Sequence, residues 1–184
     1  SAVMNSSAGG VELTGTTHNN YGIYTGYASL ITANYITIAG YAAATVGGWI
    51  DYIGALTINS GATGGDIAIT ATGTSAGNDN GIYQSGAITG ANGSDISFSS
   101  NNIINQSGAI SLAANTSGNV ATITYDTTSG TKASTITAGA LTIAVGSTSD
   151  INFVMKSAGS ALNPNTIGTS TVRLPGTVTI DNTY

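Results

Sequence analysis

Three aspartates stand at the start of the same kind of alternating apolar segment: Asp66-Ile67-Ala68-Ile69, Asp95-Ile96-Ser97-Phe98 and Asp150-Ile151-Asn152-Phe153. In a stacked fold, carboxylates repeated at one position become neighbours, and such a pair can bind Ca²⁺ or perform acid–base work on a polysaccharide. The same placement has a plainer use, in which each carboxylate accepts backbone amides of the turn it begins. Tyr35 and Asn119 fill the equivalent slot in other copies. Asn serves a turn but not catalysis, which favours the plainer use. Asp79, within Asn78-Asp79-Asn80-Gly81, adds an oxygen-rich turn, but a calcium-binding β-roll needs tandem nine-residue copies that are missing here. Asp66, Asp95 and Asp79 are therefore the weak candidates for a metal. No residue is assigned to catalysis, and no cofactor is expected. His18 is the only histidine. With Glu12 as its nearest acid it makes a poor metal site or general base, and it reads as a surface residue.

A second group of residues offers contact area rather than reactivity. Tyr21, Tyr24, Tyr27, Tyr35, Tyr41, Trp49 and Tyr52 crowd the first third of the chain. Aromatic rings combine a broad apolar face with a polar handle, so Tyr24, Tyr27, Trp49 and Tyr52 are candidates for a ligand or partner patch. The competing reading is a cluster that covers the end of the fold or fills its core.

The composition narrows the classes. The 184 residues hold 3 Lys+Arg, 8 Asp+Glu and 26 Gly, with a formal net charge of −5. Lys132, Lys156 and Arg173 are scattered, so a phosphate-neutralising patch is absent and nucleic acid is not expected as a partner. No apolar run approaches the roughly 18 residues of a spanning helix, and membrane insertion is not expected. The absence of cysteine removes disulfides and thiolate sites. A disordered chain usually carries high net charge, and its apolar residues need no regular placement. Here the placement is regular.

Two short signatures alternate. One is an alternating strand after a turn, at Tyr35-Ile36-Thr37-Ile38, at the three aspartate segments, and more loosely at Asn119-Val120-Ala121-Thr122-Ile123. The other is Gly-Ala followed by Leu or Ile: Gly54-Ala55-Leu56, Gly86-Ala87-Ile88, Gly108-Ala109-Ile110 and Gly139-Ala140-Leu141. Ile36 to Ile67 is 31 residues, Ile67 to Ile96 is 29, Leu56 to Ile88 is 32, Ile88 to Ile110 is 22, and Ile110 to Leu141 is 31. A unit of this length holding two or three short strands is a solenoid coil. Sandwiches and up-and-down barrels place strands every 8–12 residues or so without the longer period. The sequence therefore predicts an all-β parallel β-helix (β-solenoid), right-handed, of about six coils, at 10–33, 34–64, 65–93, 94–118, 119–148 and 149–184. Residues 1–9 read as an N-terminal extension or linker, and 10–184 as the solenoid. Gly, Asn and Asp between the strands (Gly64-Gly65-Asp66, Asn92-Gly93-Ser94, Ser117-Gly118-Asn119) suit sharp turns and positive φ.

The phrases Gly65-Asp66-Ile67-Ala68-Ile69-Thr70, Gly81-Ile82-Tyr83-Gln84-Ser85-Gly86-Ala87-Ile88-Thr89 and Gly176-Thr177-Val178-Thr179-Ile180, with Gly22-Ile23-Tyr24 as an earlier copy of Gly81-Ile82-Tyr83, carry a resemblance. Over about residues 10–184 the chain resembles the filamentous-haemagglutinin-like repeats of secreted adhesins and autotransporter-type β-strand repeat surface proteins. The resemblance implies an extracellular or cell-surface rod that mediates attachment or aggregation without catalysis. Its partners would be further coils or copies stacked end to end, and cell-surface glycans or neighbouring and host cells. The opening Ser1-Ala2-Val3-Met4 lacks a secretory signal, as expected if one has been removed or the chain is an excerpt. The rival from another class is a β-helical lyase or hydrolase acting on polysaccharide. Such a site would want several acids beside a Lys, Arg or His, and none is close in sequence here.

Overall fold

Strict alternation sets the architecture. Along Ile67-Ala68-Ile69-Thr70-Ala71 the first, third and fifth residues are buried and the two between are half-exposed, as expected of a strand with one face on a core. A single strand of this kind cannot bury its apolar face, so the chain winds and stacks equivalent strands on one another.

The computed structural model describes residues 3–6, 8–18, 21–25, 27–43, 49–54, 56–60, 65–73, 80–91, 93–113, 121–130, 134–143, 151–156, 161–164 and 177–181. All regular structure among them is β-strand. The chain runs through β1 (Val3–Asn5), β2 (Gly10–Thr17) and β3 (Ile23–Tyr24), then β4 (Ser29–Ala33), β5 (Tyr35–Ala42) and β6 (Trp49–Ile53). It continues through β7 (Leu56–Ser60), β8 (Ile67–Gly73) and β9 (Asn80–Gln84), then β10 (Ile88–Gly90), β11 (Ile96–Ser100) and β12 (Ile104–Gln106). Next come β13 (Ile110–Leu112), β14 (Ala121–Asp126) and β15 (Thr135–Ala138), then β16 (Leu141–Ile143), β17 (Ile151–Lys156), β18 (Ala161–Pro164) and β19 (Thr177–Asp181).

Through β18 every third strand joins the same sheet, and β19 returns to the second. The first sheet runs β1-β4-β7-β10-β13-β16, the second β2-β5-β8-β11-β14-β17-β19, and the third β3-β6-β9-β12-β15-β18. All pairings are parallel. This is a β-solenoid in which each circuit spends three strands, one per sheet. The two sequence signatures mark the second and first sheets respectively. The third sheet carries neither signature, and the two Gly-Ile-Tyr phrases fall at its strands β3 and β9. Strand β1 falls within residues 1–9 and pairs with β4, so pairing in the first sheet starts before Gly10.

Parallel pairing in register turns the inward positions into ladders. In the second sheet Val11, Ile36, Ile67, Ile96 and Ile123 are successive partners, and the four isoleucines are 1% exposed or less. In the first sheet Met4, Ile31, Ile58, Ile88 and Ile110 follow one another. Each buried Ile contributes on the order of 2 kcal/mol. The third sheet's ladder reads Ile23, Asp51, Ile82, Ile104, Ile136, with one residue out of character.

Most inward polar groups find partners at the corners. Ser60 Oγ donates to the Gly65 carbonyl at 2.8 Å and lies 3.3 Å from Ser94 Oγ. Thr127 and Ser134 hydroxyls meet at 2.6 Å. Gln106 donates through Nε2 to Gln84 Oε1 at 3.0 Å and to the Gly108 carbonyl. Gly93, with φ of 72°, is the one described residue of positive φ, in the turn between β10 and β11. The other turns named from their Gly, Asn and Asp content either manage without positive φ, as at Gly65, or lie outside the described residues. Pro164 closes β18, an edge strand, where a missing N–H costs least.

Two registers differ from the sequence reading. Ile88 pairs with Ile58 rather than Leu56, because the longer β7 turns three alternate residues inward where β10 turns two. Ile123 pairs with Ile96 and Phe153, so Thr122 and Asn152 follow Asp95 in the aspartate slot. Asn119 and Asp150, which had been assigned to that slot, lie outside the described residues.

Candidate functional site

Strands β3, β6 and β9 bring Tyr24, Tyr52 and Tyr83 into register on the outer face of the third sheet. Neighbouring strands lie about 4.8 Å apart, which is close to the spacing of stacked rings. The side chains accordingly form a row. Tyr24 and Tyr52 centroids are 5.3 Å apart at 20°, and Tyr52 and Tyr83 are 4.9 Å apart at 15°. Tyr21 leans on both ends of the first pair, 4.9 Å from Tyr24 and 5.7 Å from Tyr52. Beyond Tyr83 the position passes to Asn105 and Thr137, where the aromatic row stops.

Of the four patch candidates, the structure brings Tyr24 and Tyr52 together. It adds Tyr21 and Tyr83; Tyr83 could have been found by aligning the two Gly-Ile-Tyr phrases. Tyr27 stands in the connection to β4 and is 81% exposed. Trp49 opens β6, and its side chain lies outside the described residues. Tyr35 and Tyr41 are exposed on β5, in the second sheet. The stacked rings spend much of their faces on one another, so the row stabilises the winding and presents ring rims to solvent. Tyr24, 58% exposed, is the most open of those rings.

Asp66 and Asp95 do become neighbours along the second sheet. Asp66 Oδ1 accepts the Asp95 backbone N–H at 3.4 Å, and Asp95 Oδ1 accepts the Thr122 N–H at 2.6 Å. Each carboxylate thus caps the strand start one circuit further on, rather than the turn it begins itself. Asp79 lies outside the described residues. Among the described residues no group of three or more His, Cys, Asp or Glu is placed to hold a metal ion. His18 and Glu12 are both exposed.

The residue that sequence reasoning missed is Asp51. It occupies the inward slot between Ile23 and Ile82 and is 0% exposed. Neither carboxylate oxygen is hydrogen-bonded by a side chain, and the Gly40 backbone offers only a marginal bond. Gly40 on β5 makes the room: a Cβ at that position would lie 1.6 Å from Asp51 Oδ1. Burial pushes the Asp51 carboxyl up to about 7, and the adjacent Gly40 backbone offsets only part of that rise. The signal was faint, since Ile50-Asp51-Tyr52 shares only its tyrosine with Gly22-Ile23-Tyr24 and Gly81-Ile82-Tyr83, with Ile in place of Gly and Asp in place of Ile.

Among the described residues no helix is long and apolar enough to cross a membrane. Comparison with protein-family models, with curated proteins and with solved structures gives no match for this chain.

Proposed function

We propose that this chain is a segment of an extracellular structural or adhesive β-helical rod on a bacterial surface, related in style to filamentous-haemagglutinin-like repeats, and that it mediates attachment or aggregation. The observation that carries the reading is the continuity of the three parallel sheets. The same inward slots are filled circuit after circuit, while the outward faces bear Thr, Ser, Asn and Ala. Such a body is stiff and chemically bland, which suits a spacer. At one end β1, β2 and β3 are the sheet edges, and at the other β16, β19 and β18. Edge strands offer unpaired backbone groups along the axis, and further coils, from the same chain or a neighbouring copy, satisfy them. The tyrosine row is the place where the rod meets cell-surface glycans or another cell's surface.

Beads coated with the purified chain test this reading. They are scored for clumping and for adhesion to cultured host cells. Wild-type beads clump or adhere above uncoated beads, and Tyr24→Ser/Tyr52→Ser beads lose adhesion while retaining the fold by circular dichroism. Wild-type beads indistinguishable from uncoated ones would overturn the adhesive role, and undiminished adhesion by the double variant would remove the tyrosine row from it.

A further inference from the structure

A carboxyl group in the middle of an isoleucine ladder demands a reason. The inward slot of the third sheet is Ile at positions 23, 82, 104 and 136 and Asp at 51. The inward Ser60, Gln106 and Thr127 are hydrogen-bonded, whereas the Asp51 oxygens have no side-chain partner and Thr25 Oγ1, just after β3, is likewise unsatisfied. Burying an ionised carboxylate without a partner is prohibitive, and such a group stays neutral or forces its surroundings open. Among the described residues, the strands that pack most closely against β6 supply no opposite charge. The strands packed against β6 are β3, β5, β8 and β9, and none carries a Lys, Arg, His or second acid. Their titratable groups are Tyr24, Tyr35, Tyr41 and Tyr83, all on outward positions. Tyr52, on β6 itself, also points outward in the row. Gly40 supplies the space for a carboxyl but no side chain to hold it.

We propose that Asp51 is a proton-operated latch, with the neighbouring third-sheet strands β3, β6 and β9 closing tightly around the neutral acid and loosening when the acid ionises. The sign follows from linkage. A carboxyl raised from its ordinary 3.8 to about 7 in the folded state favours folding fully at pH below 3.8. That contribution falls as pH rises and is lost once pH has passed through about 7. The rod is therefore set firm in acid and becomes locally open near neutrality. Nothing in this depends on what the rod binds.

Two measurements on the intact chain test the latch. The first is carboxyl ¹³C NMR titration of the wild-type protein, with the Asp51 resonance assigned through Asp51→Asn. The Asp51 carboxyl titrates with a midpoint near 7; a midpoint in the usual carboxylate range overturns the proposal. The second is hydrogen exchange of the β3 and β6 amides, expressed as protection factors. Between pH 5 and pH 7 protection falls about tenfold per pH unit in the wild type and stays flat in Asp51→Asn. An equal slope in both proteins overturns the proposal. Should Asp51→Asn fail to fold, the resonance is assigned through sequential backbone connectivities, and the wild-type titration decides alone.

Discussion

The Tyr125 hydroxyl donates a hydrogen bond to Gln106 Oε1 at 2.8 Å across the interior, tying the second sheet to the third. The same oxygen accepts the Gly139 N–H at 2.9 Å, while Gln106 Nε2 serves Gln84 and the Gly108 carbonyl. Every hydrogen-bonding site of this buried amide is used. Burial also pushes the Tyr125 hydroxyl well above its usual range, so it stays a donor at all ordinary pH. Phe98 stacks on its ring at 4.9 Å. Gln106→Leu strips several buried groups of one partner at once and should cost about 2–4 kcal/mol, whereas Tyr125→Phe should cost about 1 kcal/mol. Urea denaturation of both variants checks the order, and equal costs would contradict the network.

The ladders carry most of the stability. Ile67→Ala, in the centre of the second sheet and fully buried, should cost about 2–5 kcal/mol. Thr70→Ala, on the same strand but half-exposed, should stay within about 0.5 kcal/mol. Melting temperatures of the two variants read the difference directly.

Asp95 Oδ1 accepts the Thr122 amide. Asp95→Ala should lose about 1 kcal/mol, the usual worth of a capping acceptor, and Asp95→Asn should keep most of it. Millimolar Ca²⁺ should leave the wild-type melting temperature unchanged. A Ca²⁺-dependent rise abolished by Asp66→Asn would restore the metal reading.

Gly40 and Asp51 are packed as a pair. Gly40→Ala alone should destabilise the chain, because its Cβ would collide with Asp51 Oδ1. In the background of Asp51→Ala the same change should be nearly neutral, giving a favourable coupling in a double-mutant cycle. Additive effects would place the carboxyl elsewhere.

Much of the winding was legible because period-two alternation and a unit of about 30 residues are both written into the chain. The Ile36, Ile67 and Ile96 segments and the Gly-Ala-Leu/Ile phrases pointed to two of the three sheets. Register was less legible. A slip of two residues keeps the same side chains inward, so Ile58 and Leu56 compete equally for Ile88, and the lengths of neighbouring strands decide. Asp51 was hidden for a different reason. A charged residue in an apolar slot breaks the very pattern used to find the slot, and only alignment of Ile50-Asp51-Tyr52 with its neighbours reveals it. Gln84 and Gln106 escaped notice in the same way, as amides whose partners come in part from other circuits.

The most direct test of the rod is immunogold electron microscopy of the source cells with antibody raised against this chain. Gold on fibres projecting from unpermeabilised cells is the predicted result. Labelling that appears only after permeabilisation, with no fibres at the surface, would contradict the account.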